Sequence, residues 1–170
     1  MTTVSPKEYT PEQAQRFEDT VAKYPHKKAA LLTCLWVAQE IDGYISLEAM
    51  KYIAQLLEIP TSHVYTVVGF YSMYLTQPKG KFHIQVCHTL SCELAGSEAV
   101  IETIQDTLGI KPGETTEDGV FSLTRVECLA ACGEAPMCQI NRNYFVNLTP
   151  EKTTQLLSDV RSGAQEIADA

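Results

Sequence analysis

Nowhere does this chain of 170 residues hold an apolar run that approaches the roughly 18 residues of a membrane-spanning helix. The longest such run, residues 29–38, is interrupted by Thr33. Basic side chains are scarce: 13 Lys and Arg stand against 21 Asp and Glu, a net charge of −8. That shortage argues against a protein that tracks phosphates, which needs a basic face to release counterions. It argues equally against docking on an anionic membrane surface. The first residues, Met-Thr-Thr-Val-Ser-Pro, lack the basic and apolar regions of a signal peptide, and no Arg-rich transit sequence follows. None of the nine glycines falls in a Gly-x-Gly pair, so the dinucleotide-binding fingerprint is missing as well. There is no internal repeat and no low-complexity tract. We expect a soluble protein of a reducing compartment.

What is plentiful is cysteine. A chain of this length can bury about 70 % of its unfolded surface and stands without disulfides. Six cysteines in a reducing compartment therefore suggest metal or redox chemistry before structural bridges.

The two halves of the chain differ in charge and in hydrophobic period. Residues 1–80 carry seven basic and eight acidic side chains, whereas residues 81–170 carry six and thirteen. The first half reads as helices. Thr10-Pro11-Glu12-Gln13 offers a capping oxygen, a proline at the first helical position and Gln at N3. Residues 27–41 are apolar nearly all round, which predicts a buried helix that Asp42-Gly43 stops. Ser46 can cap a helix whose face is Met50, Ile53, Ala54 and Leu57, and Pro60 breaks it before another through Val64, Val67, Val68 and Tyr71. Gln77-Pro78-Lys79-Gly80 reads as a linker.

Beyond the linker the period changes to two. Phe82, Ile84 and Val86 alternate with polar residues in a strand that ends at Cys87. Val100, Ile101, Ile104 and Leu108 make a helix face, and residues 120–126 a second strand. The acidic loop 111–119 between them reads as plain solvated surface. Residues 137–140 and 144–146 flank Asn141-Arg142-Asn143, a hairpin turn, and Thr149-Pro150 opens a last helix. The expectation is an α/β (α+β) chain with a helical-bundle segment over residues 1–78 and a β-α-β-β-β-α domain over residues 79–170.

The chemistry sits at the strand ends. Cys87 and Cys92 are spaced C-x4-C, and Cys128 and Cys132 C-x3-C, each pair beginning at or just past the carboxyl end of a predicted strand. If those strands are parallel neighbours joined by the intervening helix, both ends share one edge of the sheet and the four thiols converge. Structural zinc also takes four thiolates, but it favours tight C-x2-C turns around a single ion. A C-x4-C element occurs in the plant-type ferredoxin pattern, where the loop spans two irons. Glu93, Glu127 and Glu134 adjoin these cysteines, and negative charge nearby lowers the potential of a cluster. Spacing thus favours iron–sulfur, with zinc and unligated or disulfide-forming thiols as the alternatives.

Asp118-Gly-Val-Phe121-Ser122, followed by Cys128-Leu-Ala-Ala-Cys132-Gly-Glu-Ala135-Pro136, resembles the signature of the thioredoxin-like [2Fe–2S] ferredoxins. Within them it is most similar to the small iron–sulfur subunits of NADH:quinone oxidoreductase, respiratory complex I. Gly69-Phe70-Tyr71-Ser72-Met73-Tyr74 is similar to the aromatic helix end of those subunits, and Met137-Cys138-Gln139-Ile140-Asn141 to their hairpin. The resemblance covers about residues 10–160. One departure stands out: the family commonly has Gly after Cys-Leu, where this chain has Ala130.

The resemblance implies a thioredoxin-like domain that carries one [2Fe–2S] cluster on Cys87, Cys92, Cys128 and Cys132, behind an N-terminal helical segment. It implies an electron-transfer subunit whose cluster exchanges electrons with the FMN of a partner flavoprotein subunit, off the main chain of clusters leading toward quinone. FMN and NADH are expected on that partner, so this chain alone holds no complete active site. It implies a place in the peripheral arm, on the cytoplasmic face of the membrane, held there through other subunits. Equivalent subunits serve the diaphorase modules of NAD-reducing hydrogenases and NAD-dependent formate dehydrogenases, and a non-redox module with a four-thiolate zinc is the alternative of another class.

Several residues remain outside that set. Cys34 and Cys138 read as small buried hydrophobes, with a spare thiol near the cluster as the alternative for Cys138. His88 follows a ligand but is surplus to four thiolates, and His26 and His63 read as caps or surface. Pro136 resembles the cis-proline position of thioredoxin-like folds. Phe70, Tyr71 and Tyr74 are either a docking surface or core.

Overall fold

The computed structural model describes residues 4–168, in two compact units that divide between Pro78 and Lys79. In the first unit, α1 (Pro11–Val21) opens with a capping box. Thr10 Oγ1 accepts the Gln13 N–H at 3.3 Å and Gln13 Oε1 accepts the Thr10 N–H at 3.0 Å, so two otherwise orphaned amides are satisfied. The helix expected over residues 27–41 is two pieces: a 3₁₀ turn at Lys27–Ala30, then α2 (Leu31–Asp42). It is not buried all round either, for Leu32 and Trp36 face outward while Cys34, Leu35 and Ala38 are fully buried.

Gly43 ends α2 at φ +77°, a left-handed conformation cheap only for glycine. Ser46 Oγ then accepts the Ala49 N–H at 3.1 Å and starts α3 (Leu47–Leu57), and Pro60 precedes α4 (Thr61–Phe70). Phe17, Leu35, Ile45, Ile53 and Val64 fill the core between these helices, each side chain worth about 1.5–3 kcal/mol on burial. The aromatic trio divides: Tyr74 is buried and donates to the Leu32 carbonyl at 2.9 Å, whereas Phe70 lies exposed against Tyr71.

The second unit is built on a four-stranded sheet in the order β2-β1-β3-β4. β1 (Phe82–Cys87) runs parallel to β2 (Phe121–Val126), with Phe82 opposite Phe121 and Cys87 opposite Val126. β3 (Cys138–Ile140) is antiparallel to β1 and to β4 (Asn143–Phe145). Between the parallel strands come α5 (Leu90–Leu94), a short helix that hydrophobic period does not predict, and α6 (Ser97–Leu108). The last helix, α7 (Pro150–Ser162), has the expected cap, Thr149 Oγ1 accepting the Lys152 N–H at 3.3 Å.

Ile84 and Val86 alternate onto the sheet face covered by α6 and α7, where they meet Val100, Ile101, Leu157 and Val160. His83, Gln85, Ser122 and Thr124 fall on the opposite phase. The hairpin turn is shorter than predicted. Ile140 pairs with Asn143, which leaves a two-residue loop of Asn141 and Arg142, with Asn141 at φ +51° as its amide side chain tolerates. Nor is loop 111–119 plain surface. It folds back on β2 through a Thr115–Ser122 bridge, and Thr116 is buried, its hydroxyl oxygen accepting the Phe121 N–H at 3.0 Å. Gly80 enters β1 so close to the Phe121 backbone that a Cβ would stand 2.7 Å from its carbonyl carbon.

Candidate metal centre

The parallel pairing of β1 and β2 carries both cysteine segments to one edge of the sheet. Cys87 is the last residue of β1, and Cys128 follows two residues after the end of β2. From Cys87 the chain turns through His88 and Thr89 into α5, which places Cys92 on its buried side. On the other segment a turn through Leu129 and Ala130 leads to a 3₁₀ turn at Cys132–Glu134, so Cys128 and Cys132 come back together.

The four thiols form two pairs. Cys128 Sγ and Cys132 Sγ are 3.6 Å apart and exposed, while Cys87 and Cys92 touch each other and are both 2 % exposed. Charge on Cys132 is felt at Cys92, so the pairs adjoin. Among the described residues, no three His, Cys, Asp or Glu side chains close on a single metal ion. Two thiolates about 2.3 Å from one tetrahedral metal stand about 3.8 Å from each other, close to the separation observed for Cys128 and Cys132. A binuclear cluster takes two thiolates on each iron, and the donor set fits that demand.

The protein around the sulfurs favours negative charge at Cys87 and opposes it at Cys92 and Cys132. Burial acts to raise the Cys87 thiol, but hydrogen bonds from the Thr89 hydroxyl (3.1 Å), the Thr89 backbone, Cys92 and the Leu129 backbone outweigh it and hold the group below its usual value. Cys92 is pushed up to about 11, first by burial and then by its neighbour Cys87, against a backbone N–H from Met137. Cys132 is raised by its hydrogen bond to Cys128 and by the charge there. The Ala130 N–H donates to Cys128 Sγ at 3.3 Å, and to do so Ala130 adopts φ +64°. This is the position where the resembling family commonly has Gly. Thr89 and the Ala130 amide carry no signal of their own in the sequence, beyond their standing two residues after a cysteine.

The remaining candidates have other surroundings. Cys34 is wholly buried in the helical unit, where burial pushes its thiol up to about 11. Cys138 stands opposite Val86 on the core-facing phase of β3, and burial pushes it up to about 12, so it is packing rather than a spare thiol. His88 Nε2 lies 3.8 Å from Glu127 Oε1. His26 is exposed and makes no side-chain cap, and His63 is half-buried in the first turn of α4. The Ala135–Pro136 bond is cis, as its place in the motif suggests.

A profile of the thioredoxin-like [2Fe-2S] ferredoxins matches residues 17–161. The chain belongs to that family. Among its relatives, the E subunit of the NADH-quinone oxidoreductase of Rickettsia bellii is 43 % identical over 148 residues, which are 85 % of this chain and 89 % of that one. NADH-quinone oxidoreductase subunit 2 of Thermus thermophilus is also 43 % identical, over 149 residues, 86 % of this chain and 82 % of its own. A solved NAD+-reducing [NiFe]-hydrogenase shares the fold, with a TM-score of 0.67 over 78 % of this chain at 18 % identity. That match takes in 22 % of the hydrogenase chain. As a family member the protein carries one [2Fe–2S] cluster, the group its donor set fits. No helix among the described residues is long and apolar enough to cross a membrane.

Proposed function

We propose that this chain is the electron-transfer subunit of the NADH-oxidising module of an NADH:quinone oxidoreductase, with its [2Fe–2S] cluster held by Cys87, Cys92, Cys128 and Cys132. The observation that carries the ligand assignment is the pairing of four thiols at one sheet edge, one pair buried and one exposed. The named subunits that match most of the chain support the host complex. Bound there, the cluster supplies a carrier that takes up and releases one electron at a time, chemistry that no side chain of the protein provides.

The protein's own residues set the conditions. Thr89, the Ala130 amide and the Met137 amide donate toward sulfur and stabilise negative charge there. Glu93, Glu127 and Glu134 place acidic charge beside the ligands and act in the opposite sense. Cys87 and Cys92 lie out of water, while the Cys128 and Cys132 side faces outward, toward an electron donor or acceptor. The partner in this reading is a flavoprotein subunit that binds FMN and NADH, and the pair belongs to a peripheral arm held at the cytoplasmic face of the membrane by other subunits.

Purification from the native source tests the reading. The chain should come down with a flavoprotein and with membrane subunits. Isolated, it should be red-brown, hold two irons and two acid-labile sulfides, and become EPR-active on one-electron reduction. A colourless chain with one zinc would overturn it. Recovery with hydrogenase subunits would move the same centre to another host.

A further inference from the structure

The short helix α5 presents its apolar residues the wrong way for a core. Cys92 is buried on one side, while Leu90 and Leu94 are 74 % and 81 % exposed on the other. Residues four apart are neighbours on a helix surface, so the two leucines make one apolar ridge. The ridge borders the metal centre, because Ser91, between the ridge and Cys92, reaches the Cys132 thiol. Its surroundings are acidic: Glu93, Glu127 and Glu134 are exposed, and residues 87–96 and 127–137 contain no Lys or Arg.

An apolar centre with a charged rim is the anatomy of a specific interface, in which a few buried anchors carry most of the affinity. A rim of one sign selects a partner rim of the other and speeds encounter. Electron exchange also requires the partner's redox group to approach the side where cluster ligands are exposed, and Ser91, next to Leu90, reaches one of those exposed ligands, Cys132. We propose that Leu90 and Leu94 anchor this chain to the flavin-bearing subunit, in an apolar recess of that subunit ringed by Lys and Arg. The inference rests on the partner assignment made above and adds to it the surface, the anchors and the charge of the counter-surface.

The test measures binding of the full, cluster-loaded chain to the purified flavin-bearing subunit of the same complex, by biolayer interferometry over a range of salt. Leu90→Ala and Leu94→Ala should each weaken affinity about tenfold, and Leu94→Glu about a hundredfold. The visible and EPR spectra of the cluster should stay as in the unmodified chain. Leu47→Glu, at an exposed leucine of the helical unit, should bind normally. The association rate should fall as salt rises. Full affinity in Leu94→Glu, or an association rate indifferent to salt, overturns the proposal and leaves the partner assignment standing. An unmodified chain that does not bind the flavoprotein at all overturns both.

Discussion

The backbone N–H of Ala130 donates to Cys128 Sγ at 3.3 Å from a left-handed conformation, φ +64°. The bond and the conformation come together, because the chain must turn sharply to aim an amide back at a sulfur two residues earlier. A Cβ in this region crowds the following carbonyl at a cost of about 1–2 kcal/mol, which glycine avoids.

The first prediction follows from that pair. Ala130→Gly relieves the crowding but gives the unfolded chain more freedom, so the net gain should be about 0.5–1 kcal/mol. Denaturant unfolding should show the midpoint rise. The amide remains, so the EPR signal of the cluster should not change. A midpoint that falls would mean that the methyl group packs against something worth more than the strain.

The six thiols should separate into two classes. Serine at Cys87, Cys92, Cys128 or Cys132 should strip or remodel the cluster and change its visible and EPR spectra. Cys34→Ser and Cys138→Ser should leave both spectra intact and lower stability by about 1–3 kcal/mol, the cost of burying a hydroxyl without a partner. An unaltered spectrum in any of the first four would remove that residue from the ligand set.

Spacing and period alone brought two thiol pairs to one sheet edge, and the resemblance, not the spacing, implied that all four are cluster ligands. Cys87 closes an alternating strand, Cys128 stands just past another, and both signals are local. Cys138 could be read as packing because it alternates with Ile140. What lay beyond the sequence was set by tertiary contact. The turn of α5 has too few residues for a helical period to show. The 3₁₀ turn before α2 and the outward placement of Trp36 depend on which neighbours pack against an all-apolar stretch. Loop 111–119 is acidic, and its return onto β2 through Thr115 and Thr116 rests on backbone and hydroxyl bonds that no hydrophobic pattern announces. The left-handed turn at Ala130 was hidden by its own residue, since alanine does not advertise a positive φ.

Thr89 offers a measure of how far one hydroxyl tunes the centre. Its Oγ1 lies 3.1 Å from Cys87 Sγ, and it donates there once the sulfur is a thiolate. A hydrogen bond worth about 1 kcal/mol more to the reduced, more negative state corresponds to about 40 mV for one electron. Thr89→Val keeps the shape and removes the donor, so the midpoint potential of the loaded protein should fall by that order. Potentiometric titration followed by EPR reads it directly. An unchanged potential would show that the hydroxyl serves the turn and not the sulfur.

His83 should make the stability of the second unit depend on pH. It is 7 % exposed on the sheet, its Nε2 2.9 Å from Thr124 Oγ1 and its Nδ1 3.4 Å from Gln85 Nε2. Burial first, and then the charge of Lys79, lowers its pKa to about 4. The unfolded chain protonates this side chain near the ordinary histidine value of about 6.5, while the folded chain resists until about 4. Stability is therefore untouched above neutral pH and falls as pH drops through 6.5, because the unfolded state then binds a proton that the native state refuses. Between pH 7 and 5 the loss from this group should be about 2 kcal/mol. In His83→Gln, which keeps a hydrogen-bonding side chain and cannot titrate, that part of the loss should vanish. Denaturant midpoints of the two proteins at both pH values decide it: parallel losses would mean that His83 is hydrated or charged in the native state, against its burial.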